Sequence, residues 1–406
     1  MSVRDVAIVG AGVAGTALAA RLARAGLDVV VLERAPAWHW RAAGVFASPL
    51  VVDALWRTGL ADPVIDRVAR RIPAMRLSTP GGSVVALTYG AERGGPMAIG
   101  LDRSALDPTL VELAWTSGAQ IRRGVTVTEV RLAGDGARLS VRDGDGMSVI
   151  QARVVVGADG PHSVVGRSVG VHRPVRLTPR VGLSFHLADP RGDDAVDARL
   201  AVIRDGYVGI APVPGGRVNI GIVLGASWQP ALRAEGAAAV SVRVLESIAP
   251  TVGDPLPWRA TIDRPTDEIA GAAPLGVRAT SRAGPGWFLV GDAAGFLDPL
   301  SGEGLHRALV SAELAAPAIA AVVSRGVHPA RAAAAYDRAM QRRFAPKDGV
   351  SWLLQAFLAR PVALEYAARR LASRPDARAT MGLVMGDLIP AGRALDPRFL
   401  AAVLRP

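Results

Sequence analysis

The chain has no cysteine, a single lysine and few aromatic residues. Without cysteine there is no disulfide, no thiolate metal site and no redox dithiol. The six histidines are scattered with no close pair, so no metal is expected. No apolar run reaches the roughly 18 residues that a bilayer span needs. No signal peptide precedes a first strand that begins by about Val3. A cytoplasmic, soluble protein is the expectation. Lys347 is the only lysine, so the excess of 47 Lys plus Arg over 36 Asp plus Glu, a net charge of +11, is carried almost wholly by arginine. Arginine forks suit phosphate and carboxylate; biased base composition gives the same excess. No basic-aromatic stripe accompanies it, and no nucleic-acid partner is expected.

What is present is an ordinary globular interior: half of the 406 residues are hydrophobic, and mean hydropathy is +0.27. Val6-Ala7-Ile8-Val9 reads as a strand buried on both faces, as parallel strands are. It runs into Gly10-Ala11-Gly12-Val13-Ala14-Gly15. Thr16 to Ala25 then reads as a helix ended by Gly26, and Asp28 to Leu32 as a second strand closed by Glu33. This strand, turn, helix, strand and acid form a dinucleotide-binding unit. Gly10 allows the tight turn, Gly12 a close backbone approach to pyrophosphate, and Gly15 close helix–strand packing. The helix N-terminus offers free N–H groups to the phosphates, and Glu33 suits ribose hydroxyls. Gly291-Asp292-Ala293-Ala294, almost three hundred residues later, reads as the holder of the cofactor's other end. Two such signals so far apart suit FAD better than NAD.

Between them the character changes. Arg76 to Tyr89 reads as a hairpin turning at Pro80-Gly81-Gly82, Leu106 to Trp115 as a helix, and Ile121 to Val149 as a meander turning at Gly134-Asp135-Gly136 and again at Asp143 to Gly146. Ala152 to Val156 and Trp287 to Val290 read as further parallel strands, Val181 to Leu224 as mostly strand, and Gly304 to Ser324 as a long helix. The remainder reads as helical, broken by Pro346, Pro361, Pro390 and Pro397. The expected fold is therefore α/β: a Rossmann-type FAD-binding domain (1–72, 98–180 and 275–345), an inserted, mostly antiparallel β-sheet substrate domain (73–97 and 181–274), and a C-terminal helical cap (346–406). The pattern from Trp352 to Leu371 is amphipathic. It suits packing on the body of the protein, a roof over a substrate tunnel, or peripheral contact with a membrane.

The ordered set Gly10-x-Gly12-x-x-Gly15, Asp159-Gly160 and Gly291-Asp292 resembles the flavoprotein family that includes para-hydroxybenzoate hydroxylase and the geranylgeranyl reductases, over roughly residues 4 to 325. The resemblance implies that Asp159 lies where FAD and its reductant meet, that Asp292 binds the ribityl chain, that Arg103 touches the FAD phosphates, that Arg41 lies near the flavin, and that Val127 gives adenine a backbone contact. Ala14 and Arg34 join the expected FAD contacts. The segment from Gly44 to Pro49 and the turn from Gly291 to Gly304 are similar to the reductase branch, as is Arg167 after Ser163-x-Val165-Gly166. The Tyr-x-Trp-x-Phe-Pro strand of prenyl reductases is here Tyr207-Val208-Gly209-Ile210-Ala211-Pro212, which argues against a prenyl substrate. The related halogenases need a mid-chain lysine, which this chain lacks.

Pro299, Gly302, Glu303 and Gly304 open a helix whose first N–H groups are free. Aimed at the flavin N1–C2=O edge, they would stabilise the charge of reduced flavin. His306 is a candidate proton relay, and His186 and Tyr207 are candidate substrate contacts. Trp38, His39 and Trp40 suit a flavin cover or substrate wall. With one glycine fingerprint, NAD(P)H has no fold of its own and would dock transiently. The expected reaction is FAD-dependent monooxygenation of an apolar or aromatic small molecule in secondary metabolism, with NAD(P)H and O2. The alternative is flavin-dependent reduction of isolated double bonds.

Overall fold

The computed structural model describes residues 3–42, 44–90, 95–134, 136–175, 180–189, 197–248 and 263–405. Asp135 of the expected meander turn lies outside them, as do 91–94, 176–179, 190–196 and 249–262 within the expected domain bounds.

The fold is mixed α/β. Val6 to Val9 is almost fully buried because parallel strands cover both its edges: Val29–Glu33 on one side and Gly146–Gly157 on the other. Gln120–Arg123 and Trp287–Leu289 extend the parallel sheet outward. The order runs Trp287–Leu289, Gly146–Gly157, Arg4–Val9, Val29–Glu33, Gln120–Arg123. The meander's last strand and the Ala152–Val156 parallel strand are one element, Gly146–Gly157. Its first part pairs antiparallel with Gly136–Asp143, and its second half also takes Arg4–Val9 as a parallel neighbour.

Helix Val13–Arg24 starts directly after Gly12, earlier than expected, and packs between Arg103–Thr116 and Gly304–Arg325. Gly304–Arg325 is long and apolar enough to cross a membrane by length and composition. Here its apolar side, including Leu305, Leu309, Ala312 and Ile319, lies in the core of the parallel sheet.

The second sheet runs Ala270–Ala272, Val181–Ala188, Arg217–Leu224, Gly206–Val213, Ala198–Ile203, Ala74–Ser78, Val84–Thr88. All neighbours are antiparallel except Ala198–Ile203 with Ala74–Ser78. Period-two alternation sorts its residues. Leu183, Phe185, Ile210, Ile220 and Ile222 lie under helix Gln229–Ile248. Tyr207, Ala211 and Val223 face the C-terminal helices. Helix Gln229–Ile248, kinked at Gly236, follows the expected strand region Val181 to Leu224 and stands within the bounds of the expected β domain.

The C-terminal region is helical: Pro329–Leu358, Pro361–Ser373, Pro375–Met385, Gly392–Leu395 and Pro397–Leu404. Pro361, Pro375 and Pro397 open helices, where a missing N–H costs nothing. Pro346 does not break its helix as expected; it sits inside Pro329–Leu358. Phe344 and Val350 are buried on either side of it, and that packing carries the helix across the missing bond.

Candidate functional site

The three turn glycines meet different surroundings. Gly10 has φ +103°, and a Cβ there would stand 2.5 Å from the Ala158 carbonyl oxygen. At Gly15 a Cβ would fall onto the Gly10 carbonyl oxygen. Gly12 is extended, and a Cβ there would meet nothing within 4 Å. Gly10 and Gly15 therefore serve the fold, while Gly12 borders open space. The helix behind it has no side-chain cap, so its first N–H groups remain free for a ligand. Ala14 lies in that first, buried turn.

Glu33 is buried at the end of its strand. It accepts the Ala11 N–H at 2.9 Å and the Ala35 N–H at 3.0 Å, and Arg41 stands 3.8 Å away. It thus shapes the turn while keeping further lone pairs for a hydroxyl. Arg34 beside it is exposed. Val127 is brought to the same end of the sheet, because the Val125 N–H bonds the Glu33 carbonyl. Arg103 opens helix Arg103–Thr116. It donates to both Asp107 oxygens (2.7 and 3.0 Å) and to the Gly44 carbonyl at 3.0 Å. Among the described residues, three of its five N–H donors are thus engaged.

Asp159 accepts the Val164 N–H at 2.7 Å. Its other oxygen is buried with no hydrogen-bond partner among the described residues. Burial pushes its pKa up, against hydrogen bonds from Ser163 and Val164 that pull it down. Asp292 follows Gly291, whose N–H donates to the Ser311 hydroxyl at 2.8 Å. Burial raises the Asp292 pKa to about 6, with the charges of Arg307 and Arg103 opposing. The fold therefore brings Asp292 within electrostatic reach of Arg103, far away in sequence. A cavity of about 220 Å³ opens beside Asp292, lined also by Gly295, Asp298, Gly304, Arg307 and Trp352.

A family model described as FAD binding domain matches residues 4–343. The chain belongs to this FAD-binding family. It is 31% identical over 320 residues to a menaquinone reductase of Mycolicibacterium smegmatis, covering 77% of this chain and 75% of that one. It is 30% identical over 329 residues to digeranylgeranylglycerophospholipid reductase 2 of Methanopyrus kandleri, with the same shares covered. Among solved structures, a flavin-dependent halogenase, CmlS, shares the fold: TM-score 0.74 at 23% identity, covering 94% of this chain and 68% of that one.

FAD fits the residues present. The open space at Gly12 admits a pyrophosphate against the helix N-terminus. Glu33, Asp159 and Asp292 bring carboxylates to the C-terminal ends of three parallel strands, and Asp159 has an oxygen to spare. Gly304 opens its helix with nothing within 4 Å of where a Cβ would stand, which suits a flavin edge. Glu303 lines the same cavity as Asp292 and Gly304. Pro299 is exposed. Gly302 has φ +67°, and a Cβ there would meet the Phe46 ring at 2.7 Å, so its neighbour is a side chain of the chain itself. The Glu303 carboxylate is buried against Lys347 at 3.3 Å and Arg307 at 3.8 Å.

His306 is packed inside the protein. It is 2% exposed, with Nδ1 3.4 Å from Asp387 Oδ2 and Nε2 3.4 Å from Arg343. Asp387, Arg343 and Phe344 enclose it.

On the second sheet, His186 is also buried. Its Nδ1 lies 2.6 Å from Asp267, its Nε2 lies 3.5 Å from the Asn219 amide, and the Trp40 ring packs edge-on at 4.5 Å. The Trp40 indole N–H donates to the Ser184 carbonyl at 2.9 Å. Trp40 thus ties the loop after Glu33 to the sheet; Trp38 is half-buried and His39 exposed. Tyr207 donates its hydroxyl to Asp298, which also accepts from Arg180 at 2.9 Å. Burial first, then the Asp298 charge, hold the Tyr207 pKa well above its usual value.

Sequence reasoning missed Asp267, Asp298, Lys347 and Asp387. Asp298 carried a signal, lying one residue before Pro299. The other three are joined to the site only by tertiary packing.

Proposed function

We propose that the chain is a cytoplasmic FAD-dependent reductase that saturates carbon–carbon double bonds in an apolar, isoprenoid-like substrate. The carrying observation is a bare strip on the second sheet. Gly209 and Gly221 stand side by side in register, and a Cβ on either meets nothing nearer than the other's carbonyl oxygen at 3.9 Å. Leu200 and Ser184 continue the row on the flanking strands. Tyr207, Val223 and Ala211 border it. Trp40, in the loop after Glu33, and Asp298, downstream of Asp292, tie this sheet to the elements that would hold the cofactor. An apolar chain laid along the strip would run between sheet and flavin. The side chains missing at Gly209 and Ala211 then change the shape of the substrate groove rather than exclude a prenyl chain. The names of the relatives support reduction over the monooxygenation that the sequence favours.

In this reading residues 1–72, 98–180 and 275–345 hold the cofactor, 73–97 and 181–274 hold the substrate, and 346–406 cover it. Bound FAD supplies hydride transfer. The protein supplies the rest. The Gly12 turn and the Val13–Arg24 helix N-terminus take the pyrophosphate, Glu33 and Asp292 take hydroxyls, and the Gly304 turn faces the flavin edge. Tyr207 and the buried sheet face keep water from the reacting bond. Reducing equivalents come from NAD(P)H docking transiently.

A second reading, monooxygenation, draws on one observation: the Asp267–His186–Asn219 set beside the strip would suit a substrate bearing an oxygen function. Anaerobic single turnover separates the two. Dithionite-reduced enzyme mixed with a polyprenol should regain its oxidised flavin spectrum and yield product heavier by two hydrogens. Flavin that stays reduced until air is admitted, with labelled oxygen then in the product, would overturn reduction.

A further inference from the structure

The lone lysine is buried where the cofactor turn meets the C-terminal region. Lys347 is 4% exposed. Its ammonium donates to the Val384 carbonyl and to Asp387 Oδ1, both at 2.8 Å, and to the Met385 carbonyl at 3.4 Å. On its other side, Glu303 Oε1 stands 3.3 Å away. Asp387 Oδ2 faces His306 Nδ1 at 3.4 Å. Arg307 approaches Glu303 at 3.8 Å and pairs with Asp348. One knot of charge therefore joins three elements: the turn and helix from Glu303 to Arg307, helix Pro329–Leu358, and the segment 384–387.

Two observations show that the knot is not an incidental surface pairing. The side chains of Lys347, Glu303 and Asp387 are 5–8% exposed, so each charge depends on its partners for compensation. Asp387 also has φ +63°, a left-handed conformation that a non-glycine residue keeps only when its surroundings hold it there. The charges agree with this geometry. Burial raises the Asp387 pKa, but the His306 ring beside it and the Lys347 charge outweigh it and hold the carboxyl well below its usual range. Glu303 is pushed up by burial, with Lys347 opposing.

We propose that Lys347 and Asp387 are positioning residues of the cofactor site, which fasten segment 384–387 to the turn ending at Gly304 and so couple docking of the C-terminal region to FAD binding. The inference rests on the FAD reading of that turn. Glu303 immediately precedes Gly304, where a Cβ would meet nothing within 4 Å, and among the described residues no side chain caps the helix that starts there. Lys347 fixes Glu303 from one side and holds segment 384–387 from the other. Whatever orders the turn therefore orders the segment, and by linkage the reverse holds to the same degree.

Hydrogen exchange on the full-length protein, with and without FAD, tests this. In wild type, FAD should slow exchange both in residues 10–16 and in residues 384–389. In Lys347→Met and in Asp387→Asn, slowing at 10–16 should persist while that at 384–389 is lost. Asparagine tolerates the left-handed conformation, so Asp387→Asn keeps the test open if Lys347→Met does not fold. FAD affinity should fall about tenfold in each variant, and the double variant should be no weaker than the weaker single one, as expected for one shared network. Lys347→Arg should restore most of the affinity. Slowing at 10–16 with no change at 384–389 in wild type overturns the coupling alone. A wild-type protein that takes up no FAD overturns the cofactor reading and the coupling with it.

Discussion

Gly12 and Gly15 are three positions apart in one motif and answer to different demands. Gly15 has the Gly10 carbonyl where its Cβ would be. Gly15→Ala should therefore lower the melting temperature of the FAD-free protein, by the equivalent of about 1–3 kcal/mol of overpacking; an unchanged melt would mean helix and strand do not approach as described. Asp292 yields a pH prediction. Its folded pKa of about 6 lies above its ordinary value of 3.8. Between those values the native state binds more protons than the unfolded chain, so stability falls as pH rises through that window. FAD-free Asp292→Asn should be more stable than wild type by about 1–3 kcal/mol at pH 7 and no more stable at pH 3.5. Equal melts at both pH values would show that the carboxylate is not desolvated. At this scale Glu33 and the turn glycines were legible because their partners are near in sequence or are the backbone itself. Glu303 and His306 were not, because Lys347 and Asp387 reach them only through the packing of C-terminal helices.

Elements with one unambiguous period were readable. Val6–Val9 and Trp287–Leu289 are unbroken apolar runs, and the fold makes them parallel strands. Helix Gln229–Ile248 follows the last expected strand and was not among the expected elements, although Val240, Val244 and Ile248 repeat at helical spacing; Gly236 interrupts the run. Pro346 was read as a break because local chemistry argues for one, yet packing kept Pro329–Leu358 continuous. The cost of an interior proline should still be measurable. Pro346→Ala restores a backbone donor and should raise the melting temperature by the equivalent of about 1–3 kcal/mol. A lower melt would show that neighbouring helices require the local distortion.

At the scale of the whole molecule, the second sheet is tied to the cofactor-binding elements through Trp40, which donates to the Ser184 carbonyl, and through Asp298, which accepts from Tyr207. Gly221→Trp should fill the bare strip, raising KM for an apolar substrate at least about tenfold while FAD affinity stays at the wild-type value. A tryptophan there that leaves KM unchanged would move the substrate elsewhere. The central claim is narrower than the choice of reaction: the space beside Gly12 is where FAD lies. Flavin fluorescence titration of Gly12→Val against wild type tests it most directly, because the backbone at Gly12 is extended and an added Cβ meets nothing within 4 Å. Wild type should bind FAD one to one, and Gly12→Val should melt like wild type yet bind FAD at least about a hundredfold more weakly. A Gly12→Val protein with a native melt and undiminished FAD affinity would contradict the account.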